Sequence, residues 1–280
     1  MVNIGGEFVC PYHGWTYLTD GRLRKATKMK GIKNFRNKDN GLRGVHVDTI
    51  AGLVFVNFSE EEEPPISLEE HCGVAMERLT SHAGEIESLI FVERKVYSMP
   101  CNWKVFVDNY CDGGYHVPYA HADLAESINM DTYTREIFPY ASSQIVAAQD
   151  GEAGGEAAGG DRRVGQGACY NYHYPTLMLN RYGPWLDTNT VVPTGVDSCD
   201  VIFDYFLEPR LAQDRDFVAA SMRASDGVQD EDHMLCEGVQ AGLGSSGYEQ
   251  GRYNPVFETP MYHFHSLLYR DYDRELARHP

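Results

Sequence analysis

Apolar and polar positions change their period several times along the chain, and each change marks a predicted element. Residues 1 to about 58 carry short strand-like pieces broken by Gly turns and end in the alternation Leu53-Val54-Phe55-Val56-Asn57-Phe58, which predicts a β-rich first segment. The acidic, Pro-containing EEEEPP at 60–65 reads as a linker, and a helix is expected to start at Ser67, with Glu70 placed for a capping box. Trp103, Phe106, Val107 and Tyr110 recur at i, i+3, i+4 and i+7, the spacing of a buried helical stripe, and lead into the turn-prone Asp112-Gly113-Gly114. Between 169 and 208 the stretches CYNYHYPTLMLNRY, NTVVPT and CDVIFDYFLE read as strands, with helices beyond them. Leu235, Cys236, Val239 and Leu243 stand at +3, +4, +7 and +11 from Asp232, which puts Asp232 either on the apolar stripe of a helix or at the cap near its start. Strands bracketed by helices define the class α+β with an antiparallel sheet, divided at 1–58 and 59–280. The low-complexity GEAGGEAAGGD at 151–161 is expected to be a loop without chemistry, and there are no internal repeats.

Composition narrows the function classes. At 280 residues and 42% hydrophobic content the chain is long enough for a sizeable core, one complete domain and part of another. No apolar run approaches a membrane span and the first residues carry no signal-peptide pattern. Seven scattered Cys, an odd number, point to a soluble protein of a reducing compartment, cytoplasm or chloroplast stroma, rather than a disulfide scaffold. A net charge of -17 argues against a nucleic-acid partner. The exception is local: Arg22 to Arg43 holds nine Lys or Arg against one acid, Asp39, which reads either as a solvated basic face or as a docking surface for an acidic partner protein.

Two groups of residues carry metal chemistry. Cys10 and His13, spaced C-x-x-H in CPYHGWTY, pair a thiolate with an imidazole, a donor set that suits zinc or an iron–sulfur cluster. The chain has no C-x-x-C, which disfavours a zinc finger. His116 and His121 follow the Gly-Gly turn; five residues apart on a regular helix they would diverge by about 140°, so Pro118 between them is expected to start or bend a helix that lets them converge. With a carboxylate, for which Asp232 is the candidate, they would form a two-His, one-carboxylate site for Fe(II).

These motifs resemble the Rieske-type ring-hydroxylating oxygenase α subunits, and within that family the choline monooxygenase-like group. CPYHGWTY, GIKNF (31–35), CNWKVFVDNY (101–110), YHVPYAH (115–121), NRYGPW (180–185) and LCEGVQ (235–240) carry the resemblance in the same order. It implies a partial Rieske β domain over 1–58 and a helix-grip (START-like) catalytic domain over 59–280. It also implies a Rieske 2Fe-2S cluster with Cys10 and His13 as two of its four ligands, and mononuclear Fe(II) on His116, His121 and Asp232. The other cluster pair should come from a C-x-H loop, and residues 1–9 hold neither Cys nor His, so the chain is expected to be N-terminally truncated.

The implied reaction is O2-dependent hydroxylation with electrons from a ferredoxin or reductase, acting on choline to give betaine aldehyde. The alternatives are an aromatic ring, glycine betaine or carnitine as substrate, or a truncated, non-catalytic subunit. In the family an acid shortly before the first His carries electrons between neighbouring subunits of a cyclic oligomer, here expected to be a homotrimer. Asp112 matches, with Asp108 as the alternative, and Asp112→Asn would then slow electron transfer while leaving iron bound. Asn109 is expected to support the iron ligands. For a quaternary ammonium substrate, Tyr172, Tyr182 and above all Trp185 could supply an aromatic cage, Tyr170 and Tyr174 lying on the same strand face as Tyr172.

Overall fold

A computed structural model describes residues 2–3, 5–83, 86–149 and 163–278. The low-complexity run at 151–161 lies outside the described residues. The chain divides into two compact units, Met1–Thr49 with Val54–Ile66, and Ile50–Leu53 with Ser67–Pro280.

In the first unit, β1 (Val2–Asn3), β2 (Glu7–Val9), β3 (Thr16–Leu18) and β4 (Leu23–Lys25) pair in sequence order as an antiparallel sheet. β5 (His46–Ile50) and β6 (Leu53–Asn57) form a separate hairpin. The alternation read at 53–58 is present: Leu53, Phe55 and Asn57 are half-buried, whereas Val54, Val56 and Phe58 are exposed. All nine basic side chains of the Arg22–Arg43 stretch are exposed. Its four arginines pair with Asp20, Glu7, Asp39 and Glu60. Among the described residues its five lysines, Lys25, Lys28, Lys30, Lys33 and Lys38, carry no ion pair, so the uncompensated charge is theirs.

The second unit opens where predicted: Ser67 Oγ accepts from the Glu70 amide at 3.1 Å, and a short π-helical turn leads into α1 (Val74–Ala83). β7 (Ile90–Met99), missed by the sequence reading, precedes α2 (Trp103–Cys111), α3 (Val117–Ala120) and α4 (Ala122–Ser127). β8 (Thr134–Ile137), β9 (Ala141–Ala147), β10 (Gly167–His173), β11 (Leu177–Tyr182), β12 (Trp185–Pro193) and β13 (Cys199–Leu207) follow, then α5 (Arg215–Leu243) and α6 (Thr259–Arg278). Seven of these strands form one antiparallel sheet in the order β7-β13-β12-β11-β10-β9-β8. β7 thus pairs with the last strand, and the segment between them carries α2 to α4.

Strand periodicity decides which helix covers which face. Asn171 of β10 points to α1, donating to the Ala75 carbonyl, while Tyr172 and Tyr174 present their rings to Phe264 of α6 on the other side. α2 packs against both α5 and α6. The predicted α2 stripe is in the core: Phe106 and Val107 are 3% and 0% exposed, and burial of each contributes about 1.5–3 kcal/mol. α5 departs from expectation. It is 29 residues long and capped by Asp214, whose side chain accepts from the Phe217 amide, so Asp232 lies deep inside the helix and caps nothing. Leu235, Val239 and Leu243 are exposed, whereas Phe217, Ser221, Met222, Ser225, Asp232 and Cys236 form the buried face. The buried stripe contains small polar residues that an apolar count passes over.

Candidate metal centre

The Gly-Gly turn after α2 is set by close approach. Gly113 and Gly114 both have φ of +76°, and a Cβ on Gly113 would stand 1.9 Å from the Phe257 carbonyl oxygen. A Cβ on Gly114 would meet the Tyr133 ring at 2.7 Å. Arg135 holds the turn, donating from Nε to the Gly113 carbonyl at 2.7 Å, with its guanidinium 4.7 Å from the Tyr133 ring and 4.6 Å from the Phe257 ring. Asp112, which ends α2, accepts from the backbone amides of Gly114 at 2.9 Å, Tyr115 at 3.2 Å and His116 at 2.9 Å. Its Oδ2 is also 2.6 Å from His116 Nδ1.

His116 and His121 bracket α3, whose first turn contains Pro118. This short, sharply ended helix brings the two Nε2 atoms to 3.0 Å. Asp232 Oδ1 lies 3.2 Å from His121 Nε2 and 3.8 Å from His116 Nε2. Asn109 Nδ2 donates to the same Oδ1 at 2.6 Å, so it supports Asp232 rather than a histidine. His121 Nδ1 faces Glu231 Oε2 at 2.7 Å. Burial alone would push the His121 pKa down, but the Asp232 and Glu231 carboxylates outweigh it and raise it.

The donor set fits a metal ion. When each Nδ1 donates to its carboxylate, the two Nε2 lone pairs and Asp232 Oδ1 converge on one point, where a metal cation would satisfy all three. Two imidazoles and one carboxylate match the donors that hold non-heme Fe(II) with coordination positions open.

The triad opens on a cavity of about 130 Å3, roughly ten times the ~10–15 Å3 that one water needs. Tyr182 lines it, as do Tyr170, Tyr133 and Phe203. Trp185 and Tyr172 do not. Trp185 is buried against Tyr205 and Phe217, and Tyr172 packs on Phe264 and donates its hydroxyl to the Pro175 carbonyl at 2.8 Å. On β12 the strand's own register carries Trp185 past the cavity to the Phe217 end of α5. Asp108 is also away from the cavity wall, paired with His265 Nε2 at 2.7 Å. Sequence reasoning missed Glu231, although it adjoins Asp232, and missed the polar wall of Asp187, Asn180 and Asn189.

In the first unit Cys10 and His13 occupy the loop joining β2 to β3. The Cys10 amide donates to the Trp15 carbonyl at 2.8 Å and the Gly14 amide to the Cys10 carbonyl at 2.9 Å, a turn that needs Gly14 at φ +70°. Trp15 packs edge-on against Phe35, 5.6 Å between centroids. The loop offers one thiolate and one imidazole, which fits half of a Rieske ligand set. Among the described residues only His116, His121 and Asp232 gather as a three-ligand group.

A two-His, one-carboxylate centre carried by helices against an antiparallel sheet is the catalytic-domain class of the Rieske oxygenases. The family model for the ring hydroxylating alpha subunit (catalytic domain) matches residues 86–273, and the chain belongs to that family. The Rieske 2Fe-2S domain model matches residues 1–36. The chain is 45% identical over 273 residues to a chloroplastic choline monooxygenase of Arabidopsis thaliana, covering 94% of this chain and 63% of that protein. It is 30% identical to the carnitine monooxygenase oxygenase subunit of Acinetobacter baumannii, covering 87% and 64%. The quaternary ammonium Rieske monooxygenase CntA, solved with an inhibitor, superposes with a TM-score of 0.75 at 25% identity, covering 95% of this chain and 72% of that one. The chain spans a little under two thirds of the curated relatives' length. No helix among the described residues is long and apolar enough to cross a membrane.

Proposed function

We propose that the chain is the oxygenase component of a Rieske-type monooxygenase that hydroxylates a small quaternary ammonium compound, choline first, to betaine aldehyde. The observation that carries this reading is the His116–His121–Asp232 triad opening on a cavity walled by tyrosines and amides. Sequence identity with choline monooxygenase supports the substrate. Iron held by the triad would supply oxygen activation, with electrons arriving from a 2Fe-2S cluster to which Cys10 and His13 contribute. Asp112 keeps the His116 proton on Nδ1 and its Nε2 free, Glu231 does the same for His121, and Asn109 orients Asp232. The cavity residues bind the substrate and exclude bulk water.

On this reading Asp112 also relays electrons from the cluster of a neighbouring subunit in a cyclic homo-oligomer, a trimer. The exposed lysines from Lys25 to Lys38 receive a ferredoxin or reductase of opposite charge, and the protein works in a reducing compartment such as the chloroplast stroma. One observation favours a second reading: Arg163 lines the same cavity and would suit the carboxylate of glycine betaine or carnitine.

Hydrogen peroxide separates these substrates without an electron donor, because it carries both the oxygen atom and the two electrons. The iron-loaded chain, given peroxide, should convert choline to the aldehyde hydrate, which loses water to give betaine aldehyde. Turnover of carnitine, glycine betaine or an aromatic acid in place of choline would refute the choline assignment. No turnover of any of them would favour a non-catalytic subunit.

A further inference from the structure

A buried carboxylate stands on the cavity wall with no metal chemistry to perform. Asp187 of β12 is 3% exposed and lines the cavity. Asn180 and Asn189 each donate an amide N–H to its Oδ1, at 2.7 and 2.6 Å. Asn180 is itself fixed, its Nδ2 also reaching Asn189 Oδ1 at 2.7 Å and its Oδ1 accepting from the Tyr110 hydroxyl at 2.6 Å. Each hydrogen bond donated to the carboxylate favours its charged form. Burial holds the Asp187 pKa above the ordinary carboxylate range, and the Tyr182 hydroxyl, both amides and Arg163 offset this only in part. The cavity wall beside it is aromatic, with Tyr182 and Tyr170; the Arg163 guanidinium lies 4.9 Å from the Tyr182 ring, so a substrate cation on that ring would have to displace it.

We propose that Asp187, with the faces of Tyr182 and Tyr170, forms the subsite that receives the cationic head of the substrate, and that the Asp187 charge selects a permanent cation over a neutral molecule of the same shape. This rests on the quaternary ammonium reading above. A trimethylammonium group offers no hydrogen-bond donor, so an organic cation of this kind is recognised by nearby negative charge and by π faces, and this wall supplies both. Asp187 is a specificity residue. It lies on the β12 strand, away from the triad's own hydrogen bonds, and acts on where the substrate sits.

The test compares choline with 3,3-dimethylbutan-1-ol, its uncharged carbon isostere, by calorimetric titration of the anaerobic, iron-loaded protein. Wild type should bind choline about tenfold or more tightly than the isostere, as expected for a close, desolvated charge contact. In Asp187→Asn that ratio should fall severalfold, the tyrosine faces keeping the remainder, with iron content and melting temperature recorded on the same sample. Wild type that fails to prefer choline would overturn the quaternary ammonium reading and this subsite with it. Wild type that prefers choline, together with an Asn variant that keeps the preference, would overturn only the role of Asp187. Should Asp187→Asn not fold, Tyr182→Leu removes the aromatic face and leaves the carboxylate; it should narrow the ratio, and an unchanged ratio would overturn the subsite.

Discussion

Replacing Asp112 by Asn should weaken both the fold and iron binding, because the two side chains match in shape but differ in acceptors. Asp112 receives four N–H groups, two on each oxygen: Gly114 and Tyr115 on Oδ1, His116 N and Nδ1 on Oδ2. Asn keeps one oxygen and turns an NH2 toward the other pair. If its oxygen stays with the Gly114 and Tyr115 amides, His116 Nδ1 meets a donor, and its imidazole can move the proton to Nε2, where the metal lone pair is needed. If the oxygen stays with His116, the Gly113–Gly114 turn loses its acceptor. Hydrogen bonds to a charged group are worth about 1.5–3 kcal/mol each, so losing two costs about 3 kcal/mol or more. That cost divides between stability and a 10–100-fold loss of iron affinity. Urea unfolding and anaerobic competition for Fe(II) with a chelator measure the two shares. The sequence alone suggested that Asn would leave iron in place as it slowed electron transfer, and the hydrogen-bond pattern revises that expectation. An Asn variant with wild-type stability and iron affinity would refute the geometry.

Other consequences follow from single contacts. Gly113→Ala should fail to fold or lose iron, because its Cβ would overlap the Phe257 carbonyl; a stable, iron-binding variant read by thermal melt and metal content would contradict this. Lys25, Lys28 and Lys30 changed together to Glu should weaken donor-driven turnover, most at low salt, since exposed charges are screened beyond roughly 8 Å at physiological ionic strength; equal salt dependence would remove the docking surface. Burial, with His71 nearby, pushes the His173 pKa down to about 3. Its folded value lies below the unfolded ~6.5, so the unfolded chain binds the extra proton between them; the neutral side chain contributes fully above pH ~6.5, and stability falls as pH drops toward 3, by about 2 kcal/mol at pH 5. His173→Gln should flatten the fall in urea-unfolding free energy between pH 7.5 and pH 5 by that amount, and an unaltered slope would contradict it.

The parts legible in the sequence were those where one local pattern fixes one local structure. The α2 stripe, the Gly-Gly turn, the Cys10–Gly14 loop and the Pro118 break between two histidines are all decided within a few residues. The wall of the cavity is not. Asp187 and Asn189 share one face of β12 by their spacing, but Asn180 joins them only through the β11–β12 register, where it pairs with Asp187 across the strands. Trp185 misled for the same reason, since aromatic content marks core and cage alike until the register places it. β7 escaped notice because its pattern alternates poorly: Ile90, Phe91 and Val96 are exposed at the sheet edge. On α5 the buried Ser221 and Ser225 hid the true inner face, and Glu231 was passed over because a charged neighbour of a ligand looks like solvated surface.

Iron content tests the central claim most directly. Loaded with Fe(II) without oxygen and freed of excess metal, the chain should hold about one mononuclear iron. Asp232→Ala, which removes both a ligand and the charge that the two histidines share, should hold little or none while keeping its fold. Undiminished iron in Asp232→Ala, or a folded wild-type protein that binds no iron, would contradict the assignment of His116, His121 and Asp232 as the metal site.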